Sequence, residues 1–109
     1  MYLKIKGTKI NIDECSNFKN RFKSFKFYLE KIEHGLYFPK KKVANTYFFC
    51  QRVDICFTDN TGKIIYLYRN MRSEKLIFKF KAKNVFYLPL GCADKLKIGN
   101  VLTIYNEQI

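Results

Sequence analysis

One carboxylate in this 109-residue chain is out of place. Asp54 stands between Val53 and Ile55, in a run that alternates apolar and polar residues with the period of a half-buried strand. A carboxylate there is costly to bury unless it is paired or hydrogen-bonded. Two uses fit it. As a structural latch, Asp54 is held by Arg21, by Arg52 or by backbone amides, and fixes the central strand. As a polar anchor, it serves a small-ligand pocket with Thr46 at its base and Tyr47, Phe49 and Tyr66 as walls.

Little else could catalyse. Ser, Thr and Cys nucleophiles need a base within reach, and His34, the single histidine, stands beside Gly35 at the end of an element. The cysteines Cys15, Cys50, Cys56 and Cys92 form no C-x-x-C pair, and His34 completes no Cys/His metal pattern. They read as free thiols of a reduced compartment. No Gly-rich phosphate loop or dinucleotide fingerprint is present. The sequence therefore leans away from an enzyme and implies no cofactor and no metal. An enzyme or ligand binder around Asp54 stays open as an alternative.

Charge is the strongest bulk signal. Lysine and arginine number 21 against 9 acidic residues, a net charge of +12. Lys40-Lys41-Lys42 is the densest positive point. Lys79, Lys81 and Lys83 alternate with Phe78, Phe80 and Ala82. An anionic partner follows on one reading, either nucleic acid or an acidic membrane surface. On the other reading the charge is codon drift: Lys, Asn, Ile, Phe and Tyr are all abundant, and all have AT-rich codons. Only Arg21, Arg52, Arg69 and Arg72 are arginines, whereas a nucleic-acid reader favours arginine's planar fork. The interleaving of lysine and aromatics at 78–81 has two explanations as well. In an oligonucleotide-binding barrel such residues stack bases. In an ordinary sheet the aromatics face the core and the lysines form a solvated row that protects an edge. The second is the preferred expectation here.

The elements that must position these residues are mostly strands. Residues 2–6 and 9–13 predict a hairpin around Gly7-Thr8. Phe18, Phe22, Phe25, Leu29 and Ile32 follow at steps of four and three, which predicts a helix over 17–33. Strands are predicted at 35–39, 46–50 and 53–58. Asp59-Asn60-Thr61-Gly62 supplies turn chemistry, and 64–68, β-branched and aromatic throughout, reads as a strand buried on both faces. Strands at 76–82, 85–90 and 101–105 complete the chain. The length fits a single domain over 1–109. The predicted fold is α+β, mainly antiparallel: a small barrel-like or strongly curled sheet with one N-terminal helix. The opening, Met1 to Lys6, has no apolar core of a signal peptide, and no uncharged apolar run approaches the ~18 residues of a membrane span. The expected location is cytoplasmic.

Taken in order, a series of short motifs resembles the domain of unknown function 192 family, also called the uncharacterised protein family 0127. They are Asn20-Arg21-Phe22-Lys23-Ser24-Phe25, Gly35-Leu36-Tyr37-Phe38-Pro39, Thr46-Tyr47, Val53 to Asp59 with Gly62-Lys63-Ile64, Leu88-Pro89-Leu90-Gly91, and Lys97 to Leu102. Arg21 matches the family's arginine, but Ser24-Phe25-Lys26 replaces its Gly-Leu-Met, and its late Gly-Asp is Gly99-Asn100 here. The resemblance implies a β-rich, barrel-like fold and no established reaction. It also implies a helix that ends near Phe25, with 26–34 irregular.

Overall fold

The computed structural model describes residues 1–14, 32–47 and 49–105. Nine strands run through them: β1 (Tyr2–Ile5), β2 (Thr8–Glu14), β3 (Gly35–Pro39), β4 (Val43–Asn45), β5 (Val53–Thr58), β6 (Ile64–Met71), β7 (Leu76–Phe78), β8 (Asn84–Leu88) and β9 (Ile104–Tyr105). A short 3-10 turn spans Cys92–Lys95. Seven strands form one sheet in the order β6-β5-β8-β3-β2-β1-β9, and β4 with β7 makes a separate two-stranded ribbon. All pairings in the large sheet are antiparallel except β2 with β3.

Local chemistry sets the two hairpins. Lys6 and Gly7 both have positive φ, as a tight two-residue turn requires, and Ile5 pairs with Thr8 across it. At the β5–β6 turn, Asp59 Oδ1 accepts from the Thr61 and Lys63 amides and from the Thr61 hydroxyl. Gly62 has φ 88°, and a Cβ there would stand 2.6 Å from Leu102 O. That close approach lets residues 99–102 bond to the start of β6: Gly99 N–H donates to Ile64 O, Ile64 N–H to Asn100 O and Leu102 N–H to Gly62 O, each at 2.8 Å.

The core lies on both faces of the sheet. Val53, Ile55 and Phe57 pack with Leu36, Phe38, Val85 and Tyr87 on one face. Cys56 packs with Phe86, Leu88, Leu3 and Ile12 on the other. All six β5 residues are buried, because β5 lies between β6 and β8 and both its faces are covered. Burying a side chain such as Phe57 contributes about 1.5–3 kcal/mol.

Several expectations are corrected. The sheet is not closed into a barrel: β6 stands at one edge and β9 at the other. The predicted helix falls on 17–33, almost wholly outside the described residues. Its last two positions, Ile32 and Glu33, are described and are not helical, and no α-helix occurs among the described residues. Among the described residues the α+β assignment therefore gives way to an essentially all-β fold. β6 is only partly buried, because it is an edge strand.

The faces of β7 are reversed too. Leu76, Phe78 and Phe80 are 61%, 60% and 77% exposed, while Ile77 packs on the core. Pairing explains it: Ala44, fully buried in β4, sits opposite Ile77, and strand parity then sends Leu76 and Phe78 outward. The ribbon is tied to the sheet by Tyr87, whose hydroxyl accepts from Asn45 N–H (3.1 Å) and donates to Asn45 O (3.3 Å).

Candidate functional site

Asp54 is fully buried at a junction of three elements. β5 pairs with β6 through an irregularity: Val53 is opposite Met71 and Ile55 opposite Tyr68, so Arg69 and Asn70 together face Asp54. This is a β-bulge, and Asn70 takes φ 56° within it. The Asn70 N–H donates to Asp54 Oδ1 at 2.8 Å. Asp54 Oδ2 accepts from Gly91 N–H (3.0 Å) and Ala93 N–H (2.8 Å). Arg69 completes the junction from the bulge: its guanidinium donates to Ala93 O (2.9 Å) and to Leu96 O. Carboxylate and guanidinium thus hold the 3-10 turn from its two ends. The partners of Asp54 seen here are backbone amides; of the two arginines expected as alternatives, Arg52 is exposed and Arg21 lies outside the described residues.

The residues grouped around Asp54 as pocket walls are divided by β5. Phe49 and Tyr66 belong with Val53, Ile55 and Phe57, on the face opposite the one Asp54 shares with Cys56. Thr46 is buried, and its hydroxyl donates to Arg72 O (2.6 Å) and accepts from Lys75 N–H (2.9 Å). Tyr47 is 37% exposed. Thr46 therefore fastens the 72–75 loop to the end of β4, and among the described residues Phe49 and Tyr66 lie across β5 from Asp54.

The lysines divide differently. Lys40, Lys42 and Lys83 line one cleft of about 500 Å³, together with Tyr37, Pro39, Asn60, Ala82 and Asn84. A second cleft of about 250 Å³ shares Tyr37, Asn60 and Asn84 and continues past Thr61 and Thr103. Backbone bonds bring the loops together: Lys41 N–H donates to Lys83 O, Lys83 N–H to Thr58 O and Lys79 N–H to Lys42 O. Lys40 has φ 58°, and its N–H donates to Asn84 Oδ1. Lys42 Nζ donates to Phe80 O (2.7 Å) and Ala82 O (3.0 Å). An ammonium has three donors, so one remains for a ligand. Neither cleft has a carboxylate in its lining. The Tyr37 ring stacks on Phe86 at 4.8 Å, and burial, with the Glu14 charge, pushes its phenol pKa up. It stays a neutral hydroxyl on a flat apolar wall.

The remaining lysines of the two runs lie elsewhere. Lys41 stands over the Phe38 ring. Lys79 lies over Tyr66 and Tyr68, 4.7 and 5.7 Å from the ring centres, and its bond with the Tyr68 hydroxyl holds its pKa up. Lys81 is exposed. The predicted row 79-81-83 thus divides: Lys79 lies over two tyrosine rings, and of the three only Lys83 lines the cleft. Tyr37, Asn60 and Asn84 were missed by sequence reasoning; no local motif marks them, since three separate stretches converge only in the fold.

Among the described residues no cluster of three or more His, Cys, Asp or Glu side chains could hold an ion. His34 meets the Asp13 carboxylate at 3.9 Å. Burial pushes the Cys56 thiol up to about 12, which makes it an inert core group rather than a nucleophile. No helix of the described residues is long and apolar enough to cross a membrane.

No family model matches the chain, and no curated protein matches it. Two crystal structures share its fold. One, from Sinorhizobium meliloti 1021, is described as a putative transcription regulator; it is 15% identical, with a TM-score of 0.76 over 94% of this chain and 89% of its own. The other, from Novosphingobium aromaticivorans DSM 12444, is a protein of unknown function, also 15% identical, with a TM-score of 0.73 over 94% of this chain and 82% of its own. The chain is thus a small β-rich domain of a fold already seen in bacterial proteins.

Proposed function

We propose that this chain is a non-enzymatic binding module whose lysine-lined groove takes a phosphate-bearing polymer, a nucleic acid. The observation that carries this reading is the convergence of Lys40, Lys42 and Lys83 on one cleft without a carboxylate in its lining. Lysines gathered by drift alone need not converge, and a structural role gives them partners. Lys42 has such a role in part; Lys40 and Lys83 have no carboxylate in ion-pair contact among the described residues. Asn60 and Asn84 add amide donors and acceptors to the wall that both clefts share. The description of the Sinorhizobium protein as a putative transcription regulator is in keeping with such a partner, but at that identity the weight rests on the groove.

The test is fluorescence anisotropy with a labelled oligonucleotide at ~50 mM salt, where phosphate contacts are strongest. The protein is expected to bind, and Lys40→Glu with Lys83→Glu to weaken binding by about tenfold or more with an unchanged unfolding midpoint. No binding by the unmodified protein, or equal binding by the double variant, would overturn the proposal.

A further inference from the structure

We infer that the groove takes its nucleic acid single-stranded, with unpaired bases stacked on Phe78, at the end of the β4–β7 ribbon, and on Phe80 in the turn that follows. This rests on the groove reading and adds to it the form of the strand. An alternating lysine–aromatic segment in an ordinary sheet buries its rings. Here the rings are outside: Phe80 is 77% and Phe78 60% exposed, beside Leu76 at 61%. Large apolar side chains exposed together on one short segment point to a place where something docks.

The ribbon face and the groove share a border. Lys42 and Ala82 line the cleft. Lys42 Nζ bonds Phe80 O and Ala82 O and stands 5.4 Å from the centre of the Phe80 ring. A phosphate held by Lys40, Lys42 and Lys83 therefore has a flat, solvent-facing ring beside it. That pairing of cationic track and exposed aromatic platform suits a strand whose bases are free to stack on protein. A duplex keeps its base faces inside its own stack and cannot use the rings.

Charge argues against the other occupant, a second copy. Residues 40–47 and 74–84 carry seven lysines and one carboxylate, Glu74, so two such faces would meet with like charge. An anionic partner meets the same field favourably.

The experiment compares a single strand containing 2-aminopurine, the duplex of the same sequence, and heparin, a polyanion without bases. Three proteins are used: the unmodified chain, Phe78→Ala with Phe80→Ala, and Lys40→Glu with Lys83→Glu. The unmodified chain is expected to prefer the single strand over the duplex and to quench 2-aminopurine. The phenylalanine variant should bind the single strand about 5- to 150-fold more weakly, the range for loss of a stacked base, lose the quenching, and keep its heparin affinity. Unchanged single-strand binding by the phenylalanine variant, with the lysine variant defective, would remove the platform and leave the groove. Preference for the duplex would do the same. If the lysine variant binds as the unmodified chain does, the groove reading itself fails. Self-association abolished by the phenylalanine changes would assign the face to a second copy instead.

Discussion

The Asp54 junction and the lysine groove are both made of charged side chains, but they are finished to different degrees. At the junction every charge is answered. Asp54 accepts three backbone N–H bonds, and Arg69 donates to two carbonyls of the same turn. The carboxylate and the two arginine donors are spent on the fold itself. At the groove Lys40 and Lys83 face a cleft of about 500 Å³, and Lys42 keeps one donor. A charge that is satisfied inside the protein holds it together. A cluster of like charges that is not satisfied costs stability through repulsion, and its benefit is sought outside the chain. The two regions should therefore respond to mutation in opposite ways: the first in stability, the second in binding.

The largest expected effect is at the junction. Asp54→Ala leaves the Asn70, Gly91 and Ala93 amides without their acceptor and should cost about 3 kcal/mol or more, the upper end for hydrogen bonds to a charged group. Asp54→Asn turns an NH₂ group or a single oxygen toward the same three donors and should cost about 1–3 kcal/mol. A denaturant melt measures both, and an unchanged midpoint for either would remove the latch. Next is Gly62→Ala. Positive φ and the 2.6 Å approach to Leu102 O predict a loss of about 1–3 kcal/mol, with faster amide exchange at Ile64, Gly99 and Leu102. Lys40→Glu with Lys83→Glu should reverse the pattern: stability within about 0.5 kcal/mol of the parent, as for surface substitutions, with the loss confined to binding.

The smallest effect concerns Cys56. Its folded-state pKa, pushed up to about 12 by burial first and by the Asp54 charge next, lies above that of a thiol in the unfolded chain. The sign follows: this contribution is complete below about pH 9 and is lost as pH rises toward 12. Cys56→Ala should flatten that alkaline decline in the unfolding midpoint. An identical pH profile for the two proteins would count against a buried, neutral thiol.

The parts legible in the sequence were those fixed locally. The turn at Asp59 to Gly62 carries its own acceptor and its own positive-φ residue, and the strand at 53–58 shows its period. Periodicity failed where it had to choose a face. Leu76, Phe78 and Phe80 alternate with Ile77, Lys79 and Lys81, so either set could point inward. The choice was made by Ala44 against Ile77 and by two tyrosine rings that take Lys79. Nor could a period of two reveal that both faces of β5 are covered, since that depends on partners far along the chain. Parity also divides the residues grouped around Asp54: Ile55 points to Phe49 and Tyr66, and Asp54 points away. The groove was half legible. Its lysine run announced itself, while Asn60, Asn84 and Tyr37 join it only through the pairing of β3, β5 and β8.

The most direct test of the groove is the salt dependence of binding. Single-strand affinity falls with log salt at a slope of about −0.7 per phosphate neutralised. Three groove lysines predict a slope near −2, and Lys40→Ala alone should make it shallower by about 0.7. A slope near zero, or one that Lys40→Ala leaves unchanged, would contradict the account.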